Sequence, residues 1–227
     1  MNIVIIGKNE SPSILKMWNS VKNFGNVVFV LDRCTDDSER IARENKIPFL
    51  INQEGNLSDR KTSSCRNLGY SYLKFSHGLQ DTLFLDCDRY ITSGDLGDLT
   101  ENSDVELLMV ESDLREPERF NEKCYGRVYN DFFSCGILLK KNALLELENF
   151  YSRNAPDYGS SLVFPESVEK YWGIEDTLLG DICYHLGLSA EINKTIRLRG
   201  EFEKTRLDSL DVIEQRFILR DKLNVMW

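Results

Sequence analysis

The chain has 227 residues, 41% of them hydrophobic, including 12 Phe and 9 Tyr, enough to bury a full core without disulfides or a structural metal. Its net charge of −9, from 28 basic and 37 acidic residues, argues against a generally basic nucleic-acid binder but leaves room for a local basic groove. No apolar run approaches the roughly 20 residues of a membrane helix, and no signal-type segment precedes Ile3, so a cytoplasmic location is expected.

Strand and helix signals alternate through the first half. Asn2 to Ile6 reads as a buried strand. Ser11-Pro12 opens a helix with proline in its first turn, on which Ile14, Leu15, Trp18 and Val21 recur at helical spacing. Val27 to Leu31 is a second apolar strand, and Asp36-Asp37-Ser38 starts the next helix, with acids where the helix dipole favours them. Pro48 to Ile51 is a short third strand. Ser63 to Phe75 reads as a helix carrying Cys65, Leu68, Tyr72 and Phe75, and Thr82 to Leu85 as a fourth strand ending at Asp86. Such repeats predict right-handed parallel crossovers, with ligands at the carboxyl ends of the strands.

The second half is less regular. Val105 to Val110 and Phe132 to Leu139 read as strands, and Asn142 to Tyr151 as a helix. Asn154 to Ser161 is a loop broken by Pro156 and Gly159. Glu175 to Leu186 is helical and ends at Gly187, and Asp208 to Leu223 forms a terminal helix. Arg197, Arg199, Lys204 and Arg206 make a small basic cluster. The six cysteines are scattered with no CxxC pair, which implies reduced thiols. With only His77 and His185 to add imidazoles, a zinc site is not expected.

The chemistry centres on Asp86-Cys87-Asp88 at the end of the fourth strand. Two hard oxygen donors at a sheet's carboxyl edge suit Mg²⁺ or Mn²⁺ shared with a diphosphate. A bare DxD is common by chance, and two solvated turn aspartates are the plain alternative. Glu175-Asp176 opens a helix, where capping and dipole complementarity would also explain two acids.

Order strengthens the DxD. Val30-Leu31-Asp32-Arg33-Cys34-Thr35-Asp36-Asp37-Ser38 resembles the Val-Asp-Asp-Gly-Ser-Thr-Asp-x-Thr segment of family 2 glycosyltransferases. Ser64-Cys65-Arg66-Asn67-Leu68-Gly69 resembles their Ala-Arg-Asn-x-Gly segment, and Thr82 to Tyr90 their strand plus DxD. Phe133 to Lys141 is similar to their later acceptor-side strand. Tyr171-Trp172-Gly173-Ile174-Glu175-Asp176-Thr177 resembles the Trp-Gly-x-Glu-Asp motif of the galactosyltransferase-like branch. Five weak motifs in register over residues 1 to 200 are more specific than any one of them.

The resemblance implies a single GT-A (Rossmann-like) α/β domain over 1–205, with a mostly parallel mixed sheet flanked by helices. Residues 1–100 would form the nucleotide-sugar half, 101–205 the acceptor half and 206–227 a helical tail. It implies a metal-dependent inverting transfer of one sugar from a nucleotide sugar, a UDP-sugar in particular, to a hydroxyl acceptor. Asn9, Glu10 and Asp32 would lie at the nucleoside. Lys61 and Arg66 would face the diphosphate or brace the DxD. Asp86 would reach ribose or metal, and Asp88 the metal. Asp176 would be the base, Glu175 its acceptor-orienting partner, and Trp172-Gly173 the acceptor platform. Each role has a structural alternative: a cap for Asn9, a turn for Asp32, a solvated charge for Lys61, a structural ion pair for Arg66, a core position for Trp172.

Three departures from the pattern stand out. Leu31 replaces the first of the paired aspartates, no histidine follows His185 as a third metal ligand, and arginines occupy that region instead. The metal site is expected to be open, completed by diphosphate and water. A nucleotide-sugar-binding module without catalysis is the alternative. A sugar-phosphate nucleotidyltransferase ranks lower, because Gly7-Lys8-Asn9-Glu10-Ser11-Pro12 is not a glycine-rich phosphate loop. Acceptors open to such an enzyme include glycans, lipid-linked sugars, protein hydroxyls and hydroxymethylated DNA bases.

Overall fold

The computed structural model describes residues 1–55, 61–97, 99, 105–112, 136–154, 161–166 and 174–200. The elements in chain order are β1 (Asn2–Gly7), α1 (Ile14–Val21), β2 (Asn26–Asp32), α2 (Ser38–Glu44), β3 (Phe49–Asn52), α3 (Thr62–His77), β4 (Thr82–Asp86) and β5 (Arg89–Ser93). They continue with β6 (Leu107–Ser112), β7 (Gly136–Leu139), α4 (Lys141–Arg153), α5 (Ile174–His185) and β8 (Ala190–Gly200). Among the described residues the strands form one sheet in the order β3-β2-β1-β4-β7-β6-β8-β5. β1 pairs in parallel with β2 and β4, and β2 with β3. β7 runs antiparallel between β4 and β6, while β6 and β8 are parallel again. This is the expected mostly parallel, mixed sheet flanked by helices.

Both faces of the sheet are covered, so its central strands are apolar at every position rather than alternating. Val4, Ile6, Val28, Val30 and Phe84 face a core closed by α3, α4 and α5. Ile3, Ile5, Phe29, Leu31 and Leu85 face a second core with Ile14, Met17 and Val21 of α1 and Ala42 of α2. β1, β2, β3 and β4 all point the same way, so Gly7, Asp32, Asn52 and Asp86 share the carboxyl edge.

Gly69 sets the height of α3 above the sheet. A Cβ there would lie 2.5 Å from Val4 Cγ1 and 3.0 Å from Val30 Cγ2. The glycine of the Arg-Asn-x-Gly segment is thus a packing requirement: only a residue without Cβ lets the helix come this close.

Two helix faces differ from expectation. On α3 only Cys65 of the expected apolar set is buried; Leu68, Tyr72 and Phe75 are exposed. The inward face consists of Ser63, Cys65, Arg66, Asn67, Gly69, Tyr70 and Leu73. On α1 Leu15 is exposed and Met17 takes its place in the core. In both, the polar or unbranched residue that packs inward broke the apolar count. β5 and β8 had no sequence signal that stood out; β5 is only five residues long, charged residues interrupt β8, and the two form the sheet's far edge. Residues 132–135, the expected helix at 208–223 and the tail at 206–227 lie outside the described residues.

Candidate donor and acceptor site

The β1 and β2 exits are tied together by short polar residues. Asn9 adopts φ 61°, a left-handed conformation that asparagine tolerates. Its side-chain oxygen accepts from the Thr35 N–H at 2.7 Å, so it braces the β2 loop rather than capping α1. The Glu10 N–H donates to Ser38 Oγ at 2.9 Å, and the Ser11 N–H to Asp36 Oδ2 at 2.9 Å. Partial burial pushes the Asp36 carboxyl up, but hydrogen bonds from Ser38 and Ser11 outweigh it and hold it below the usual range. The Thr-Asp-x-Ser stretch therefore reads physically as a latch between two strand exits.

Asp32 ends β2 and is buried. Arg33 folds back on it in a bidentate pair, Nε to Oδ1 at 2.7 Å and Nη2 to Oδ2 at 2.6 Å. Asn52, at the end of β3, adds a hydrogen bond to Oδ1 at 2.9 Å, and the Lys8 ammonium stands 3.9 Å from Oδ2. Arg33 has φ 47°, a conformation that costs a residue with a Cβ about 1–2 kcal/mol.

At the end of β4 the chain turns through Cys87-Asp88 into β5. Cys87 is buried, and a Cβ on Gly7 would lie 2.9 Å from its own Cβ. The turn sends the two carboxylates to different supports. Arg66 Nη2 donates to Asp86 Oδ1 at 2.7 Å, and Arg89 Nε lies 3.7 Å from Asp88 Oδ1. The side chains of Asp86 and Asp88 remain 33% and 29% exposed. Two partly open carboxylates, each backed by an arginine, fit a hard divalent cation shared with a diphosphate. Among the described residues no group of three His, Cys, Asp or Glu could hold a metal by itself. Glu10 faces the same turn; burial, with the charges of Asp88 and Asp86 adding, pushes its carboxyl up to about 7, against a hydrogen bond from Ser13.

Arg66 is the organising residue. It is 2% exposed and lies with its guanidinium carbon 5.2 Å from the centre of the Phe164 ring. Besides Asp86 it reaches Asp176, with Nη1 3.9 Å from Oδ1. Burial works against its charge, but Asp86, Asp176 and Glu175 outweigh it and keep the guanidinium protonated. One cation thus joins the DxD to the acids at the start of α5. Asn67, the next residue, is also buried and fully bonded. It donates to the Phe164 carbonyl at 2.9 Å and to Glu166 Oε1 at 2.8 Å, and accepts from the N–H groups of Val163 and Phe164.

Glu175 is 6% exposed and accepts from Thr62 Oγ1 at 3.0 Å. Burial, with the Asp176 charge adding, pushes its carboxyl from 4.5 up to about 7, against the pull of Arg66 and Thr62. The folded value lies above the unfolded one, so the cost of ionising Glu175 is absent below pH 4.5 and complete once pH exceeds about 7. Glu175→Gln is therefore expected to leave stability unchanged near pH 4 and to raise it by up to about 3 kcal/mol near pH 8. Urea midpoints at the two pH values check this; an equal difference at both would count against it.

The structure thus brings Asp86, Glu175 and Asp176 together around the buried Arg66, sets Asp88 beside Arg89 at the same turn, and groups Asp32 with Lys8 at the exit of β2. Lys61 precedes α3, half-buried, and His185 is exposed at the end of α5. Trp172 and Gly173 lie outside the described residues. Sequence reading did not single out Arg33, Asn52, Thr62, Phe164 or Arg89 as site residues. Only Arg33 carried a usable signal, a charged residue at a position where the family pattern has glycine.

Among solved structures, S. aureus TarS in complex with UDP-GlcNAc superposes with a TM-score of 0.64 at 19% identity, over 99% of this chain and 66% of that one. The chain has the GT-A fold. Glucosyl-3-phosphoglycerate synthase from Mycobacterium tuberculosis in complex with UDP matches with a TM-score of 0.59 at 14% identity, over 100% of this chain and 81% of that one. The same synthase with Mn²⁺, UDP-glucose and phosphoglyceric acid matches with a TM-score of 0.58 at 12% identity. This chain spans about two thirds of the TarS structure. No protein-family model matches the sequence, and comparison with curated proteins finds no match. Among the described residues no helix is long and apolar enough to cross a membrane.

Proposed function

We propose that this chain is a metal-dependent inverting glycosyltransferase that moves one sugar from a nucleotide sugar, a UDP-sugar in particular, to a hydroxyl acceptor. The observation that carries this reading is the Asp86–Arg66–Asp176 arrangement, in which a buried guanidinium sits between the DxD carboxylate and the acid at the start of α5. Structural neighbours solved with UDP-GlcNAc, and with Mn²⁺ and UDP-glucose, support the donor class.

Asp88 and Asp86 would hold Mn²⁺ or Mg²⁺, which supplies charge neutralisation on the departing diphosphate. Arg66 fixes Asp86 and adds positive charge behind it, and Lys61 lies at the start of the same helix. Asn9, Glu10 and Asp32 form the nucleoside end, Asp32 through the arginine it holds. Asp176 accepts the proton of the attacking hydroxyl at its carboxylate, on the face opposite the leaving group, as inversion requires. Glu175, anchored by Thr62, orients the acceptor beside Trp172-Gly173 of the Trp-Gly-x-Glu-Asp motif. Arg197 and Arg199 are exposed on β8 beside β5. They offer a local cationic strip to an acceptor bearing phosphate, whether a glycan, a lipid-linked sugar or modified DNA.

Leu31 is fully buried, so the first position of the paired aspartates offers no donor contact. That favours, as a second reading, a nucleotide-sugar binder without turnover. Incubating the purified chain with Mn²⁺ and a panel of nucleotide sugars, read by mass spectrometry, separates the two. Release of nucleoside diphosphate is expected for one donor class. Binding without release supports the second reading, and neither binding nor release with any common nucleotide sugar overturns both.

A further inference from the structure

Asp32 stands at the base end of the donor subsite, yet three of its acceptor positions are already taken by Arg33 and Asn52, and the Lys8 ammonium stands over the remaining one. A carboxylate has about four lone-pair sites. Here Oδ1 takes Arg33 Nε and Asn52 Nδ2, and Oδ2 takes Arg33 Nη2 with the Lys8 ammonium 3.9 Å away. The cluster holds two cations against one carboxylate. Arg33 reaches this position only by adopting φ 47°, where the resembling pattern has glycine. Backbone strain retained at a strand's carboxyl end, beside a ligand edge, is a mark of function. Lys8, with a third of its side chain exposed, marks the open side of the cluster.

The position suits a nucleobase. β1 separates β2 from β4, and strands lie about 4.8 Å apart, so the end of β2 is about 10 Å from the end of β4. That is the reach of a ribose and base from a diphosphate held at Asp86 and Asp88.

We propose that Arg33 is the base-reading residue of the donor subsite. Its guanidinium, fixed by Asp32, donates to a base carbonyl, where a free carboxylate would accept a base N–H. The inference rests on the nucleotide-sugar reading above and widens its UDP preference to pyrimidine nucleotides in general. Uracil and cytosine share the C2 carbonyl and differ at N3, which carries a hydrogen only in uracil. A carboxylate reader therefore selects uracil, and a donor reader takes both bases.

Calorimetric binding of UDP, CDP and pyrophosphate to the whole chain with Mn²⁺ tests this, in the wild type and in Arg33→Gly and Arg33→Asn. Both variants release Asp32, and both residues accept the left-handed backbone. The wild type is expected to bind UDP and CDP within about threefold of each other. The variants are expected to favour UDP by at least about tenfold, as a site with an unmatched acceptor rejects the base lacking the hydrogen. Pyrophosphate affinity should stay unchanged, which a merely structural role for Arg33 does not predict. A wild type that prefers UDP by tenfold or more overturns the inference and leaves the nucleotide-sugar reading standing. An unchanged UDP-to-CDP ratio in folded variants also overturns it alone. If neither variant folds, the wild-type ratio decides. A wild type that binds neither nucleotide, with or without binding pyrophosphate, overturns both readings.

Discussion

Asp176→Asn is expected to lower turnover about 10²–10⁴-fold while nucleotide binding stays within about twofold. The asparagine amide cannot take the acceptor's proton, but it keeps the size of the side chain and its place beside Arg66. The donor side is untouched, because the 2.7 Å bond from Arg66 to Asp86 is made by the other guanidinium nitrogen. Steady-state kinetics with calorimetric donor titration reads both halves. Loss of donor binding in step with turnover would make Asp176 a donor-site residue instead. Unchanged turnover would remove it from the chemistry.

Arg66→Met should be the most damaging single change to stability. Arg66 is buried, and its charge is held against burial by Asp86, Asp176 and Glu175. Methionine fills much of the volume but leaves those acids without their cation. Removing one partner of such a buried set costs about 3–5 kcal/mol, measured as a drop in the urea midpoint near neutral pH. The deficit should narrow as pH falls through the carboxylate range, because neutral acids no longer need the guanidinium. Arg66→Lys should recover part of the stability but little of the alignment, since an ammonium cannot span two carboxylates in a fixed plane. A pH-independent loss would point to packing against Phe164 rather than to charge.

Much of the first half of the chain was legible because its signals are local. Val4, Ile6, Val28 and Val30 sit in apolar runs whose length fits a strand covered on both faces. The Arg66-Asn67-Leu68-Gly69 segment carried the close helix approach and the buried cation in four letters. The rest depended on contacts far apart in sequence. Thr62 meets Glu175 across 113 positions, and Asn67 meets Phe164 across 97. No window of residues reports such pairs. β5 and β8 went unread because each is held by its neighbour in the sheet rather than by its own pattern, with Arg89 opposite Gly200 and Tyr90 opposite Arg199. The face of α3 was misread for a related reason. Its buried side is built from arginine, asparagine and glycine, whose burial is repaid by partners elsewhere in the chain, while Leu68, Tyr72 and Phe75 point to solvent.

Asn67 has a consequence for how this scaffold can diversify. Three of its four bonds to the 161–166 segment go to main-chain atoms, and only one reaches a side chain, that of Glu166. The anchorage is therefore largely blind to which residues the segment carries. Aspartate has no donors and glutamine is a methylene too long, so position 67 itself is frozen. Its tenant can change. A lineage can exchange the exposed side chain at Leu162 without rebuilding the socket that holds the segment, whereas Phe164, buried against Arg66, stays tied to the arginine next door.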